Sequence, residues 1–337
     1  MLDNQYRYLL ALYRQADGSA LGEVPVEPDW EPVQEWVEFD HLRRSQYGVE
    51  PTTLEPVWSE KAGAPYVHAL GIQCNGTSFV LPVDYFRPVA QAAAQQFIKQ
   101  GTLKGGDLFT FLVTAYPRRK TRGRSEKRAF IVEEAPAELT AKQSPLAAFA
   151  ERSVSFGEPD VEDIAVFVPQ RVLYETSELT RRDGATETGG ILIGHVRRDN
   201  DLFVEVTAQI PAEHTQAASE KLTFTPATWT AVQAALNLRG GREIMLGWWH
   251  SHPSLHWCRD CPPDKRRVCA LQQSSFFSAD DVTLHRQVFP KAYSVALVAT
   301  HHEDGIRYAM YGWRRALVAQ RGFHILTQEG ERQHVAP

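Results

Sequence analysis

At 337 residues the chain is long enough for two domains, each with a sizeable core. Its 43% hydrophobic and 23% charged residues describe an ordinary soluble globular protein, and a formal net charge of −5 gives no general case for a nucleic-acid partner. No apolar run reaches the roughly 20 residues of a membrane-spanning helix, and the opening MLDNQYRYLLALYRQ lacks the leader of a signal peptide, so a cytoplasmic location and no membrane partner are expected.

Residues 1–117 read as a separate α+β domain with no recognisable catalytic motif, a candidate for substrate or partner binding. Its early part, Glu23 to Asp40, is acidic and proline-bearing, with Trp30 and Trp36 interleaved. Val67 to Ile72 and Phe79 to Val83 are strand-like, and Val89 to Gln100 reads as a helix with Pro88 at its start and Gly101 just past its end. A turn at Gly105-Gly106-Asp107 leads into a strand from Leu108 to Val113. Residues 118–159 read as a basic and polar linker, and its stretch 118–128 carries seven basic residues against one acidic. With no aromatic residues to stack on bases, that run reads as a solvated loop before it reads as a nucleic-acid contact.

Residues 160–315 carry the second pattern: a strand from Ile164 to Val168, then a helix from Arg171 to Leu179 with Val172, Leu173, Thr176 and Leu179 on one face. Strands at Gly190 to Val196 and Leu202 to Ile210 follow, then a helix after Pro226 running toward Gly240. Tyr293 to Ala299 and Ile306 to Trp313 read as closing strands, and residues 316–337 as a C-terminal tail.

The chemistry lies between these elements. His250 and His252 end the apolar run Ile244 to Trp249, and on a strand of period two both imidazoles lie on one face. Ser278 precedes Asp281 by three positions, the pattern of a helix N-terminus, so Asp281 projects from a first helical turn. Two imidazoles and one carboxylate make three ligands for Zn²⁺ and leave a fourth position for water, which sets a catalytic site apart from a closed structural one. Glu187, in the loop before Gly190 to Gly194, is the candidate general base, and the Ser278 hydroxyl is a candidate donor to an oxyanion. A His pair alone reads as a polar strand edge and S-x-x-D alone as a helix cap; the set in this order is what points to a metal centre.

With Glu187, His250-Ser251-His252-Pro253 and Ser278-x-x-Asp281 in order, inside GWWHSHP, the chain resembles the JAB/MPN domain metalloproteases of the JAMM type. The resemblance implies a curved mixed α/β sheet flanked by helices. It also implies zinc held by His250, His252 and Asp281, Glu187 as acid and base, and Ser278 at the oxyanion. It further implies isopeptide or peptide substrates at the C-terminus of ubiquitin or a ubiquitin-like protein. Enzymes of the same conjugation pathway are then expected partners, and the unfamiliar N-terminal domain suggests a bacterial setting. In relatives a loop near Pro211 to Leu222 contacts the extended tail of the modifier. Two further readings stay open: trimming of a sulfur-carrier protein, and a scaffold that holds a modifier without cutting it.

One departure from the family pattern is plain. His252 and Asp281 are separated by 28 residues, Pro253 through Asp280, where the family's usual spacing is ten. The insert 254–277 holds His256, Cys258, Cys261 and Cys269, a set read as a possible second, structural zinc site that would order a segment poor in apolar residues. His285, Asp260 and Asp264 are alternatives to His256 as fourth ligand, and reduced surface thiols or a Cys258–Cys261 disulfide are alternatives to the metal.

Overall fold

The computed structural model describes residues 2–44, 52–59, 66–74, 76–118, 139–212, 224–240, 242–262, 265, 269 and 275–327. The basic run beyond Arg118 and nearly all of the loop from Pro211 to Leu222 lie outside these. The chain divides into two compact units, residues 1–137 and 138–337.

The first unit holds two sheets. Strands β1 (Leu2–Asn4), β4 (Thr52–Trp58), β5 (Val67–Cys74) and β6 (Thr77–Pro82) form one in the order β1-β4-β5-β6, and β2 (Tyr6–Arg14), β3 (Ala20–Val26) and β7 (Phe109–Pro117) the other in the order β3-β2-β7. β4 and β6 alternate buried and exposed positions, the mark of a sheet with one face on a core. Helix α2 (Arg87–Lys99) carries its proline in the first turn, where a missing N–H costs nothing. The acidic, proline-bearing stretch becomes a helix as well. In α1 (Glu31–Arg43), Pro32 again sits in the first turn, and Val33, Trp36, Val37 and Phe39 are buried.

The second unit is a curled mixed sheet of ten strands. In chain order its elements are β8 (Lys142–Gln143), α3 (Leu146–Ala150), β9 (Ser153–Phe156), β10 (Val166–Pro169), α4 (Gln170–Asp183), β11 (Gly189–Arg198), β12 (Leu202–Pro211) and α5 (Pro226–Leu238). There follow β13 (Ile244–His252), α6 (Ser254–Trp257), α7 (Ala279–Val288), β14 (Val295–His302), β15 (Gly305–Arg314), β16 (Leu317–Arg321) and β17 (Phe323–Leu326). The strand order is β16-β15-β14-β13-β11-β12-β10-β17-β9, with β8 also paired to β11. β13 and β14 run parallel, which sends the chain between them through a crossover carrying α6 and α7. Ile191, Ile193, Val232, Leu236, Trp248, Phe289, Ala296 and Val298 form the core beneath that crossover.

Two boundaries differ from the sequence reading. Residues 139–159, expected as the end of a linker, belong to the second unit: β9 pairs with β17, and Phe149 packs on Phe167 and Phe203. Residues 317–326, expected as tail, form β16 and β17, with Phe323 and Ile325 buried and Phe156 against Phe323. Segments of four or five residues are too short for a period to show in sequence. Among the described residues no helix is long and apolar enough to cross a membrane.

Candidate metal centre

β13 is buried at seven consecutive positions, from Leu246 to His252. It bulges at the start of that run: Leu192 pairs with Gly247 but Ile193 with Met245, which leaves Leu246 unpaired on that side. A bulge changes which way the following side chains face. Past it Trp248, His250 and His252 share one side. The Trp248 ring stacks on His250 with centroids 4.5 Å apart, and Phe276 stacks on His252 at 4.4 Å. Both imidazoles are thereby held at their planes and almost wholly removed from solvent.

The third donor comes from the far end of the crossover. Ser278 caps α7 in a reciprocal box, its Oγ accepting from the Asp281 N–H at 3.1 Å while its own N–H donates to Asp281 Oδ2 at 2.8 Å. Such a cap is worth about 1 kcal/mol and, more to the point, fixes the carboxylate. Asp281 Oδ1 then lies 3.5 Å from His250 Nε2 and Oδ2 4.0 Å from His252 Nε2, while the two Nε2 atoms are 3.0 Å apart. Tetrahedral zinc with bonds near 2.0–2.1 Å separates its donors by about 3.4 Å, so the three spacings bracket what the ion needs. Both Nδ1 atoms are buried without a hydrogen-bond partner, and the Nε2 atoms face each other. That is an awkward arrangement for two imidazoles by themselves and a natural one around a cation. Among the described residues this is the one group of three such donors that comes together.

The electrostatics agree. Burial first, then the neighbouring His250, push His252 down to about 3 against the pull of Asp281, so it is neutral at pH 7 as a ligand must be. Burial works to raise Asp281, yet the His250 ring and the hydrogen bonds from His250 and Ser278 hold it down at about 2. Beside them His285, on α7, accepts a hydrogen bond from Trp248 Nε1 at 3.2 Å and is lowered by burial to about 3. All three shifts carry the same sign for stability. An unfolded chain takes up protons on these histidines from about pH 6.5 downward that the folded chain refuses until about pH 3, and on Asp281 below its ordinary 3.8. The stabilisation is therefore complete above pH 6.5 and is lost on acidification. Urea unfolding of the metal-free protein is expected to show a midpoint that falls steadily from pH 7 to pH 4; a flat midpoint would contradict it.

Glu187 is buried in the segment joining α4 to β11 and stands outside the three-donor set. The backbone next to it is tied to β13, for the Ser251 N–H donates to the Thr188 carbonyl at 2.8 Å. In this way the loop carboxylate, two strand histidines, and the helix-borne Ser278 and Asp281 belong to elements meeting at the end of one strand.

A family model described as JAB1/Mov34/MPN/PAD-1 ubiquitin protease matches residues 164–261. The chain contains a JAB/MPN domain. The match takes in Glu187, His250 and His252 and stops before Ser278 and Asp281. No curated protein matches the chain. Among solved structures, the solution structure of a protein from Desulfitobacterium hafniense matches at 18% identity and a TM-score of 0.35, covering 51% of this chain and 99% of that one.

The insert after β13 brings two of its cysteines together. Cys258 is buried with its Sγ 3.7 Å from that of Cys269, whereas Cys261 is partly exposed, and no disulfide forms. His256, Cys258, Cys261 and Cys269 are not gathered into one compact donor set. The turn after α6 carries Cys258 inward and leaves Cys261 nearer the surface. His285 is wholly buried against Trp248. Asp264 lies outside the described residues. Sequence reasoning passed over Ser251 and the Trp248–His285 pair; i, i+4 spacing of Asp281 and His285 was the available signal for the latter.

Proposed function

We propose that the JAB/MPN domain is a zinc-dependent isopeptidase or peptidase that cleaves after the C-terminus of ubiquitin or a ubiquitin-like modifier. The observation that carries this reading is the buried His250, His252 and Asp281 donor set with spacings suited to zinc. Zinc held there supplies Lewis acidity toward a carbonyl and acidifies a water molecule. Glu187 takes the proton from the attacking water and returns it to the departing amine. Ser278 Oγ already accepts from the Asp281 amide, so its own hydrogen is left to donate to the oxyanion. Attack by water needs no acyl-enzyme. Ubiquitin-like substrates are supported by the description of the matching family model, and a flexible, glycine-ended tail suits donors as recessed as these.

Purified protein is expected to release the modifier from a linear fusion, to stop when treated with a chelator, and to resume with added zinc. His252→Ala is expected to lose both the metal and the activity, since a two-donor remnant binds zinc poorly. One zinc per chain in the parent and none in His252→Ala is the expected count. A residual equivalent that disappears only with Cys258→Ser would restore the insert cysteines as a second site. Cleavage that survives the chelator sinks the metalloprotease reading.

A further inference from the structure

Ser251 lies between the two histidines in sequence, and strand alternation turns its side chain to the opposite face of β13, where it is 1% exposed. There it meets Thr188, the residue that follows Glu187. The Ser251 N–H donates to the Thr188 carbonyl at 2.8 Å, and the Thr188 N–H donates to Ser251 Oγ at 2.9 Å. An antiparallel hydrogen-bonded pair ordinarily exchanges two backbone bonds. Here one of the two ends on a side-chain oxygen, immediately before the regular pairing of Gly189 with His250 begins. A single hydroxyl thus replaces a ladder carbonyl where β11 leaves the loop. Thr188 is also held from the α4 side. Hydrogen bonds from Arg182 and, after partial burial acting the other way, from Thr188 keep the Asp183 carboxyl below its usual range.

We propose that Ser251 is a positioning residue for Glu187: by tying the adjacent amide to the strand that carries both histidines, its hydroxyl sets where the Glu187 carboxylate stands relative to the reacting atoms. The inference rests on the reading of Glu187 as the proton-transfer group. Its force comes from distance, since a displacement of about 1 Å in a catalytic group costs roughly 100-fold in rate. Neither residue of the Ser251–Thr188 pair touches substrate in this account; the pair acts through its neighbour.

The test uses the full zinc-loaded chain and a linear modifier fusion. Ser251→Ala is expected to bind zinc as the parent does, to keep KM within about twofold and to lose roughly 10- to 100-fold in kcat. Ser251→Thr, which keeps the hydroxyl, is expected to recover most of that loss. In a Glu187→Gln background Ser251→Ala adds nothing, because two changes acting through one group are not additive. Parental kcat in Ser251→Ala, or a full further loss in the double variant, overturns the proposal. A second readout does not depend on turnover: hydrogen exchange of the Thr188 amide in the metal-free chain is expected to quicken at least about tenfold in Ser251→Ala and to stay slow in Ser251→Thr. Unchanged exchange in Ser251→Ala overturns the proposal whatever the activity. Quickened exchange in a protein that cleaves no modifier supports the tether and counts against the hydrolase reading alone.

Discussion

Changing Glu187 to Gln is expected to leave one zinc per chain and to lower turnover by about 100- to 10,000-fold, the range that a positioned general acid and base contributes. The substitution keeps size and hydrogen-bonding shape and removes only the ability to accept and return a proton. Because Glu187 stands outside the three-donor set, metal content is not expected to change with it. Asp281→Asn supplies the contrast. Its carboxylate is both a donor of the set and the acceptor of the Ser278 amide, so neutralising it weakens the zinc site itself, and metal and activity fall together. Zinc analysis beside single-turnover kinetics separates the two variants. Glu187→Gln with parental turnover would remove the assigned base.

Gly247→Ala is expected to be the most damaging single change in β13. Gly247 adopts φ +154°, and a Cβ placed on it would lie 1.7 Å from the Val295 carbonyl oxygen and 2.8 Å from the Val295 carbonyl carbon. Both clashes are with backbone of the paired strand, so no rotamer relieves them; β13 and β14 must separate or the bulge must unwind. Overpacking with backbone strain of this kind costs on the order of 3 kcal/mol or more. For a domain of this size that is a fall of about 6–12 °C in Tm. Because Gly247 is three residues before His250, the donor spacing fails with it, and zinc binding is expected to weaken even in the fraction that folds. A Gly247→Ala protein with parental Tm and parental zinc affinity would show that the strands do not approach each other this closely.

The three-donor cluster was legible because its residue types leave few alternatives. Two histidines on a strand of period two, a capped helix start and an upstream carboxylate each have a bland reading, and their order together argues against the bland readings. The central strands and the helices of the second unit were legible for the same reason, being long enough to display their periods. What escaped was short or compositionally diluted. β9, β16 and β17 span four or five residues each, and α3 five, too few for a period to emerge. α1 hid behind an acidic, proline-bearing composition whose proline proved to be a first-turn residue. For the insert, cysteine spacing is a property of the chain, whereas a donor set is a property of where burial sends each sulfur, and Cys258 and Cys261 experience different burial.

The excursion between β13 and α7 leaves the sheet at His252 and returns at Ser278, and each of these posts is secured locally, one by strand pairing and the other by a reciprocal cap. The distance between the donors owes nothing to how many residues lie between the posts, because lengthening a connection whose ends are fixed adds only a slowly growing entropic cost. The two ends of the connection are not free in the same way: Trp257 and Phe276 pack on His252 and Phe277 on His250, so only the residues between them can vary in number without disturbing the donors.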